Sequence, residues 1–156
     1  MSVEIERKFL VNSNAYKTES HKKSYIKQGF LNSDKNRVVR VRLNDGCGYL
    51  TIKGKSNTSG TTRFEWEKKI TKEEANNLFS LCEPGIIEKH RFLVAIGNHT
   101  YEVDEFLGDN KGLVVAEIEL KSENEIFEKP TWLGTEVTGD IKYYNSNLIK
   151  QPYTQW

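Results

Sequence analysis

The chain has 156 residues, with 23 basic and 22 acidic side chains and a formal net charge of +1 at pH 7. That length fits a single domain, spanning 1–156, able to bury a core of its own. A near-neutral total made of 29% charged residues argues against nucleic-acid binding by bulk positive charge, and 37% hydrophobic with 11% aromatic residues argues against a disordered chain.

The chain opens on an alternation. In Val3-Glu4-Ile5-Glu6-Arg7-Lys8, residues two apart share a face of a strand, so Glu4, Glu6 and Lys8 line up together. Two like charges on one face repel, and a cation held between them, most simply a divalent metal, removes that cost. No apolar signal-like region precedes this stretch, and no apolar run approaches the ~20 residues needed to span a bilayer. A cytoplasmic protein without membrane contact is expected. Cys47 and Cys82 lack metal-site spacing and read as reduced thiols.

Further strands are predicted at Val3–Val11, Ser24–Asn32, Arg37–Asn44, Tyr49–Lys55, Thr62–Ile70, Ile86–Ile96, Thr100–Leu107 and Leu113–Leu120. Short turns such as Asn44-Asp45-Gly46 and Ile96-Gly97-Asn98 separate them and favour antiparallel neighbours. Helices are fewer. Thr71 and Glu74 form a capping box ahead of Ala75, Leu78, Phe79 and Cys82, and Pro84-Gly85 ends that segment. A second helix is predicted from Ser122, with Glu125 as its box partner, and a third from Asp140. The stretch 12–23 fits neither period.

The two faces of these strands differ in kind. One carries Glu4, Glu6, Lys8, Arg40, Arg42, Lys53, Lys55, Arg63, Glu65, Glu67, Lys89, Arg91, Glu102, Asp104, Glu117 and Glu119; the other carries Val, Ile, Leu, Phe, Tyr and Trp. An ordinary antiparallel sheet with one solvated face would mix Ser, Thr, Asn and Gln into the polar side. Same-sign pairs on nearly every strand point instead to a closed barrel with a charged, water-filled lumen. Gly54-Lys55-Ser56 resembles the end of a phosphate-binding loop, but Tyr49 stands where its first Gly is required. His90 alternates with Lys89 and Arg91 onto the outer face, and Trp66 and Trp132 read as packing residues.

With these residues in view, the chain resembles the triphosphate tunnel metalloenzymes, the CYTH superfamily. Glu4-Ile5-Glu6-Arg7-Lys8 matches the signature ExExK. In the family's order follow Val39-Arg40-Val41-Arg42-Leu43, Leu50-Thr51-Ile52-Lys53, Arg63-Phe64-Glu65-Trp66-Glu67, Glu88-Lys89-His90-Arg91-Phe92, Tyr101-Glu102-Val103-Asp104-Glu105-Phe106 and Ala116-Glu117-Ile118-Glu119-Leu120. Glu136-Val137-Thr138-Gly139-Asp140 and Tyr144-Asn145-Ser146-Asn147-Leu148 are similar to short bacterial members. The resemblance spans essentially the whole chain and implies a mainly β (α+β) fold: an eight-stranded antiparallel closed tunnel with a charged lumen and a few flanking helices. It departs from the family at Ile141-Lys142, where two basic residues are common, and at Gln28-Gly29-Phe30, where Tyr often follows Gly.

The resemblance implies binding of a linear triphosphate and metal-dependent chemistry on it. The expected phosphate ligands are Lys8, Arg40, Arg42, Lys53, Arg63, Lys89, Arg91 and Lys142, with Arg gripping two oxygens and Lys acting as a point charge. Glu4, Glu6, Glu117 and Glu119 are the expected metal ligands, and their all-oxygen set selects Mg2+, with Mn2+ as a substitute. Glu65, Glu102 and Asp104 are expected to orient water or complete the metal shell, and Lys89 to stabilise the reacting phosphate. Hydrolysis of inorganic tripolyphosphate to diphosphate and phosphate is the leading expectation. A class IV adenylate cyclase, a thiamine or nucleoside triphosphatase, and a non-catalytic polyphosphate-binding module are the alternatives. A homodimer is compatible with the sequence.

Overall fold

The computed structural model describes residues 2–156. In chain order its strands are β1 (Ser2–Val11), β2 (Lys22–Asn32), β3 (Arg37–Asn44), β4 (Cys47–Gly54), β5 (Thr62–Ile70), β6 (Ile87–Ile96), β7 (His99–Phe106), β8 (Val114–Glu119) and β9 (Leu133–Glu136). Its helices are α1 (Tyr16–Glu19), α2 (Lys72–Phe79) and α3 (Asn145–Leu148). The strands run in the order β5-β4-β3-β2-β6-β7-β8-β1-β9, and β5 pairs back onto β1. Eight strands therefore close an antiparallel ring, and β9 lies outside it. Residues 2–5 of β1 pair with β5, and Phe9 and Val11 farther along pair with β9, while β8 takes Glu6–Leu10.

Local chemistry explains the connections. Asp45 and Gly46 both take positive φ (48° and 85°), the conformation of a tight hairpin turn between β3 and β4. At α2 the Thr71 hydroxyl accepts from the Glu74 N–H (3.0 Å), and the Glu74 carboxylate accepts from the Thr71 N–H (2.9 Å), completing the predicted box. The helix predicted from Ser122 does not form. The Glu125 carboxylate is taken by the Lys121 N–H (2.6 Å) and by His99, so it is not free to cap. The third helix is shorter than expected: Asp140 caps a single 3-10 turn, Ile141–Tyr143, and α3 follows.

The outer face of the ring is mostly covered by the chain itself. Tyr16, Phe92, Tyr101, Ile118 and Trp132 form the larger cluster beneath α1 and the segment around 127–133. Trp132 is fully buried, whereas Trp66 is 41% exposed on the outer face and packs less than its sequence context suggests. The second cluster gathers Phe30, Val38, Ile87, Phe106, Val115 and Leu148. These strand residues share the inward parity of Arg40, Lys89, Asp104 and Glu117. The lumen is therefore charged along only part of its length, and one end is filled with apolar side chains capped by α3.

Candidate active site

The open part of the barrel is a cavity of about 220 Å³, lined by Glu4, Glu6, Lys8, Arg40, Arg42, Lys53, Arg63, Glu65, Glu67, Lys89, Arg91, Glu102, Glu117 and Glu119. Strand register brings them together. Glu6 lies across from Glu119 and Lys8 from Glu117 on β1–β8, Glu102 from Glu117 on β7–β8, Glu4 from Arg63 on β1–β5, and Lys53 from Glu65 on β4–β5. The carboxylates Glu67, Glu102 and Glu119 are the more exposed ones and mark the solvent mouth. The apolar filling closes the other end.

Ion pairs tie part of this set down. Lys53 Nζ donates to both Glu4 oxygens (2.8 and 3.1 Å), and Arg63 Nε reaches Glu4 at 3.5 Å. Burial pushes the Glu4 carboxyl up, but Lys53 and Arg63 outweigh it and hold it at about 2. Asp104 is buried, 1% exposed, and does not line the cavity. It takes a two-pronged grip from Arg91 (2.7 and 2.8 Å) and a third contact from Lys89 (2.8 Å). Arg91 also reaches Glu102 at 3.1 Å.

Other groups are left with their charge poorly met. Burial and the neighbouring carboxylates Glu117 and Glu4 raise Glu6 to about 8. Burial also pushes Glu117 up, but Lys8, Arg91 and Lys89 outweigh it and hold it well below the usual carboxylate range. The two carboxyls thus share one proton, and the cations around Glu117 favour charge on that side of the pair. Burial and Glu4 raise Glu65 to about 7, and burial raises Glu119 as well. Among the basic groups, burial and the nearby Arg40 and Arg91 lower Arg42 to about 9, and burial lowers Arg40. Burial takes Lys89 down to about 7 against the pull of Asp104. The Nε of Arg40 is a buried donor with no partner among the described residues. An anion entering the cavity would satisfy that donor and relieve these desolvated cations.

For a cation, the donor chemistry fits. The candidate ligands are all carboxylates, and Glu6 makes no ion pair among the described residues, so a metal there would replace a proton. Among the described residues no three acidic, His or Cys side chains already converge as a cation cage. Glu4 is engaged by Lys53 and Arg63, and Glu117 by Lys8 at 3.6 Å.

Of the residues singled out from the sequence, Lys142 is not brought into the cavity. Its ammonium lies 4.1 Å from the ring centre of Trp156. Sequence reasoning missed Phe30, Val38, Tyr144, Asn145 and Ser146, which also line the cavity. Asn145 Oδ1 accepts from Lys89 (3.1 Å) and from Gln28 (3.0 Å), and Gln28 in turn accepts from Arg42 (3.0 Å). The Tyr144 ring lies 5.1 Å from the Lys8 ammonium and 5.6 Å from the Arg63 guanidinium. None of these residues is charged, so face-by-face charge counting could not find them; inward parity could have found Phe30 and Val38.

Comparison with known proteins agrees with this geometry. The CYTH domain model matches residues 2–153. The chain is 51% identical over 154 residues to an inorganic triphosphatase of Acetivibrio thermocellus, covering 98% of this chain and 97% of that protein. It is 32% identical over 149 residues to an inorganic triphosphatase of Nitrosomonas europaea, covering 93% and 95% respectively. The crystal structure of the inorganic triphosphatase NE1496 superposes with a TM-score of 0.66 at 29% identity, over 94% of this chain and 97% of that one. A cavity lined by basic and acidic side chains inside a closed eight-stranded ring, together with a family match along nearly its whole length, places the chain in the CYTH domain family.

Proposed function

We propose that the protein hydrolyses a linear triphosphate, inorganic tripolyphosphate before any other, to diphosphate and phosphate with the help of a divalent cation, Mg2+ or Mn2+. The observation that carries this reading is the cavity of about 220 Å³, where seven basic side chains and seven carboxylates face one another with no apolar wall for an organic group beyond Phe30, Val38 and Tyr144. Its size suits a compact polyanion, and its walls offer charge in place of the apolar surface a base or thiazolium ring would need.

Each residue then has a role. Arg40, Arg42, Lys53, Arg63, Lys89, Arg91 and Lys8 hold phosphate oxygens, the arginines by forked pairs. Glu6, Glu117 and Glu119, with Glu4, are the carboxylates that would hold the cation. Held there, a divalent cation would supply positive charge against the negative charge that builds up as the anhydride breaks. Glu102, at the mouth, and Glu65, deeper in the cavity across from Lys53, accept hydrogen bonds from the water and direct it at the terminal phosphorus. Lys89 donates to the oxygen that gains charge as the bond breaks. Asp104 sits behind Arg91 and Lys89 and fixes both in place, which makes it a positioning residue. Lys142 plays no part.

Phosphate release from tripolyphosphate, ATP and thiamine triphosphate, each with Mg2+ and with EDTA, tests the reading. Fast release from tripolyphosphate that EDTA abolishes is expected. Cyclic AMP and diphosphate from ATP, without release from tripolyphosphate, would reassign the protein as a cyclase. Tight binding of tripolyphosphate without turnover would leave a binding module.

A further inference from the structure

A second cavity, of about 230 Å³, adjoins the first at Tyr144, and Lys35, Lys55, Ser56 and Gly60 line it. Tyr144 is the one described residue that lines both cavities. Its ring faces Lys8 and Arg63 on the inner side, and its hydroxyl is 3.4 Å from the Ser56 hydroxyl on the outer side. Beside the ring, a space of about 10 Å³ bordered by Lys8, Arg63, Ser56 and Gly60 has room for about one water. A Cβ on Gly60 would lie 2.3 Å from the Gly139 Cα, so the loop before β5 and the turn before Tyr144 are pressed together. The two ends of the barrel also differ in charge: Glu67, Glu102 and Glu119 stand at the open mouth, and Lys35 and Lys55 stand beyond Tyr144.

We propose that the Tyr144 ring is the end wall that sets which polyphosphate length the cavity serves best, and that the cleft bearing Lys35 and Lys55 behind it is a latent site for one further phosphate. This inference rests on the triphosphatase reading. With the ring in place, a chain longer than three phosphates must leave its extra phosphate among the carboxylates of the mouth, where like charges repel. Without the ring, the same chain advances by one phosphate and its leading group meets two ammonium groups in place of the carboxylates. The hydroxyl has a smaller part than the ring, because the barrier is the aromatic plane between the two spaces.

The test compares kcat/KM for tetrapolyphosphate and tripolyphosphate, with Mg2+, in the wild-type protein and in Tyr144→Ala. The expected result is a rise of at least about tenfold in the tetrapolyphosphate-to-tripolyphosphate ratio, equivalent to about 1.4 kcal/mol. Tyr144→Phe keeps the wild-type ratio, and Lys55→Ala added to Tyr144→Ala takes the gain away. A ratio within twofold of wild type in Tyr144→Ala, or an equal gain in Tyr144→Phe, would overturn the inference. Melting curves confirm that each variant is folded, and Tyr144→Leu replaces the alanine variant if the latter is not. Wild-type protein inert towards tripolyphosphate would instead overturn the triphosphatase reading, and this inference with it.

Discussion

Glu6 and Glu117 lie side by side in the lumen and share a proton, which Lys8, Arg91 and Lys89 bias towards Glu6 by favouring charge on its neighbour. Glu6→Gln preserves that protonated shape and removes a carboxylate a metal could take. Metal-dependent phosphate release is expected to fall by about a hundredfold or more, while the metal-free melting temperature at pH 8 stays equal to wild type or rises. A fall in both would mark Glu6 as structural. Asp104→Asn acts in the opposite sense: it leaves Arg91 and Lys89 buried with their main counter-charge gone, and the expected loss is about 3–5 kcal/mol in urea unfolding. At this scale the sequence was readable where charge alternated along a strand and unreadable where a neutral side chain did the work. Asn145 receives Lys89 and Gln28 from a helix of four residues, with no periodicity to announce it. Lys142 looked like a ligand because it was basic and near the motif, but Trp156 holds it elsewhere.

Seven of the eight strands of the ring were legible because they alternate between charged and apolar residues, an alternation that depends only on which side of the pleat a residue occupies. The exception is β2, which with Ser24, Ile26, Gln28 and Phe30 facing inward brings no charge to the lumen. β9 was not legible. It spans Leu133–Glu136 with a Gly at its second position, and it exists because β1 leaves an edge free past its pairing with β5. The apolar filling of one barrel end was also written in strand parity, through Ile87 beside Lys89 and Phe106 beside Asp104, but it looks like core until closure of the ring is known. α3 seals that end through Leu148, which is fully buried. Leu148→Ala is expected to cost about 2–5 kcal/mol, read as a lowered urea midpoint, and to reduce turnover by loosening Tyr144 and Asn145. Thr71→Ala removes the α2 cap on the far side of the barrel wall. Its expected cost is about 1 kcal/mol, with kcat unchanged. Together the two variants separate elements that carry the site from elements that only support the fold.

For the whole molecule, the carboxyl groups set a pH dependence whose sign can be worked out. Glu6 and Glu65 hold protons up to about 8 and about 7, whereas the unfolded chain releases them near 4.5. The native state therefore binds more protons in that window, and metal-free stability falls as pH rises through it. Glu4, held at about 2, contributes in the other direction: its stability is present above 4.5 and is lost as pH falls towards 2. Urea midpoints without metal are expected to be lower at pH 8 than at pH 5.5. Added Mg2+ raises the midpoint more at pH 8, since metal and protons compete for the same carboxylates. An equal Mg2+ effect at both values would count against these ligands. Among the described residues the ring itself is shut by four residue pairs between β1 and β5, against eight between β3 and β4. Glu4 reaches across that short join to Arg63 on β5 and Lys53 on β4. The barrel is thus a bracelet whose clasp is made from the walls of its own cavity. Amide exchange in the empty protein should be fastest along the clasp and slow when substrate arrives, so that each turnover fastens and then releases the fold at its weakest link.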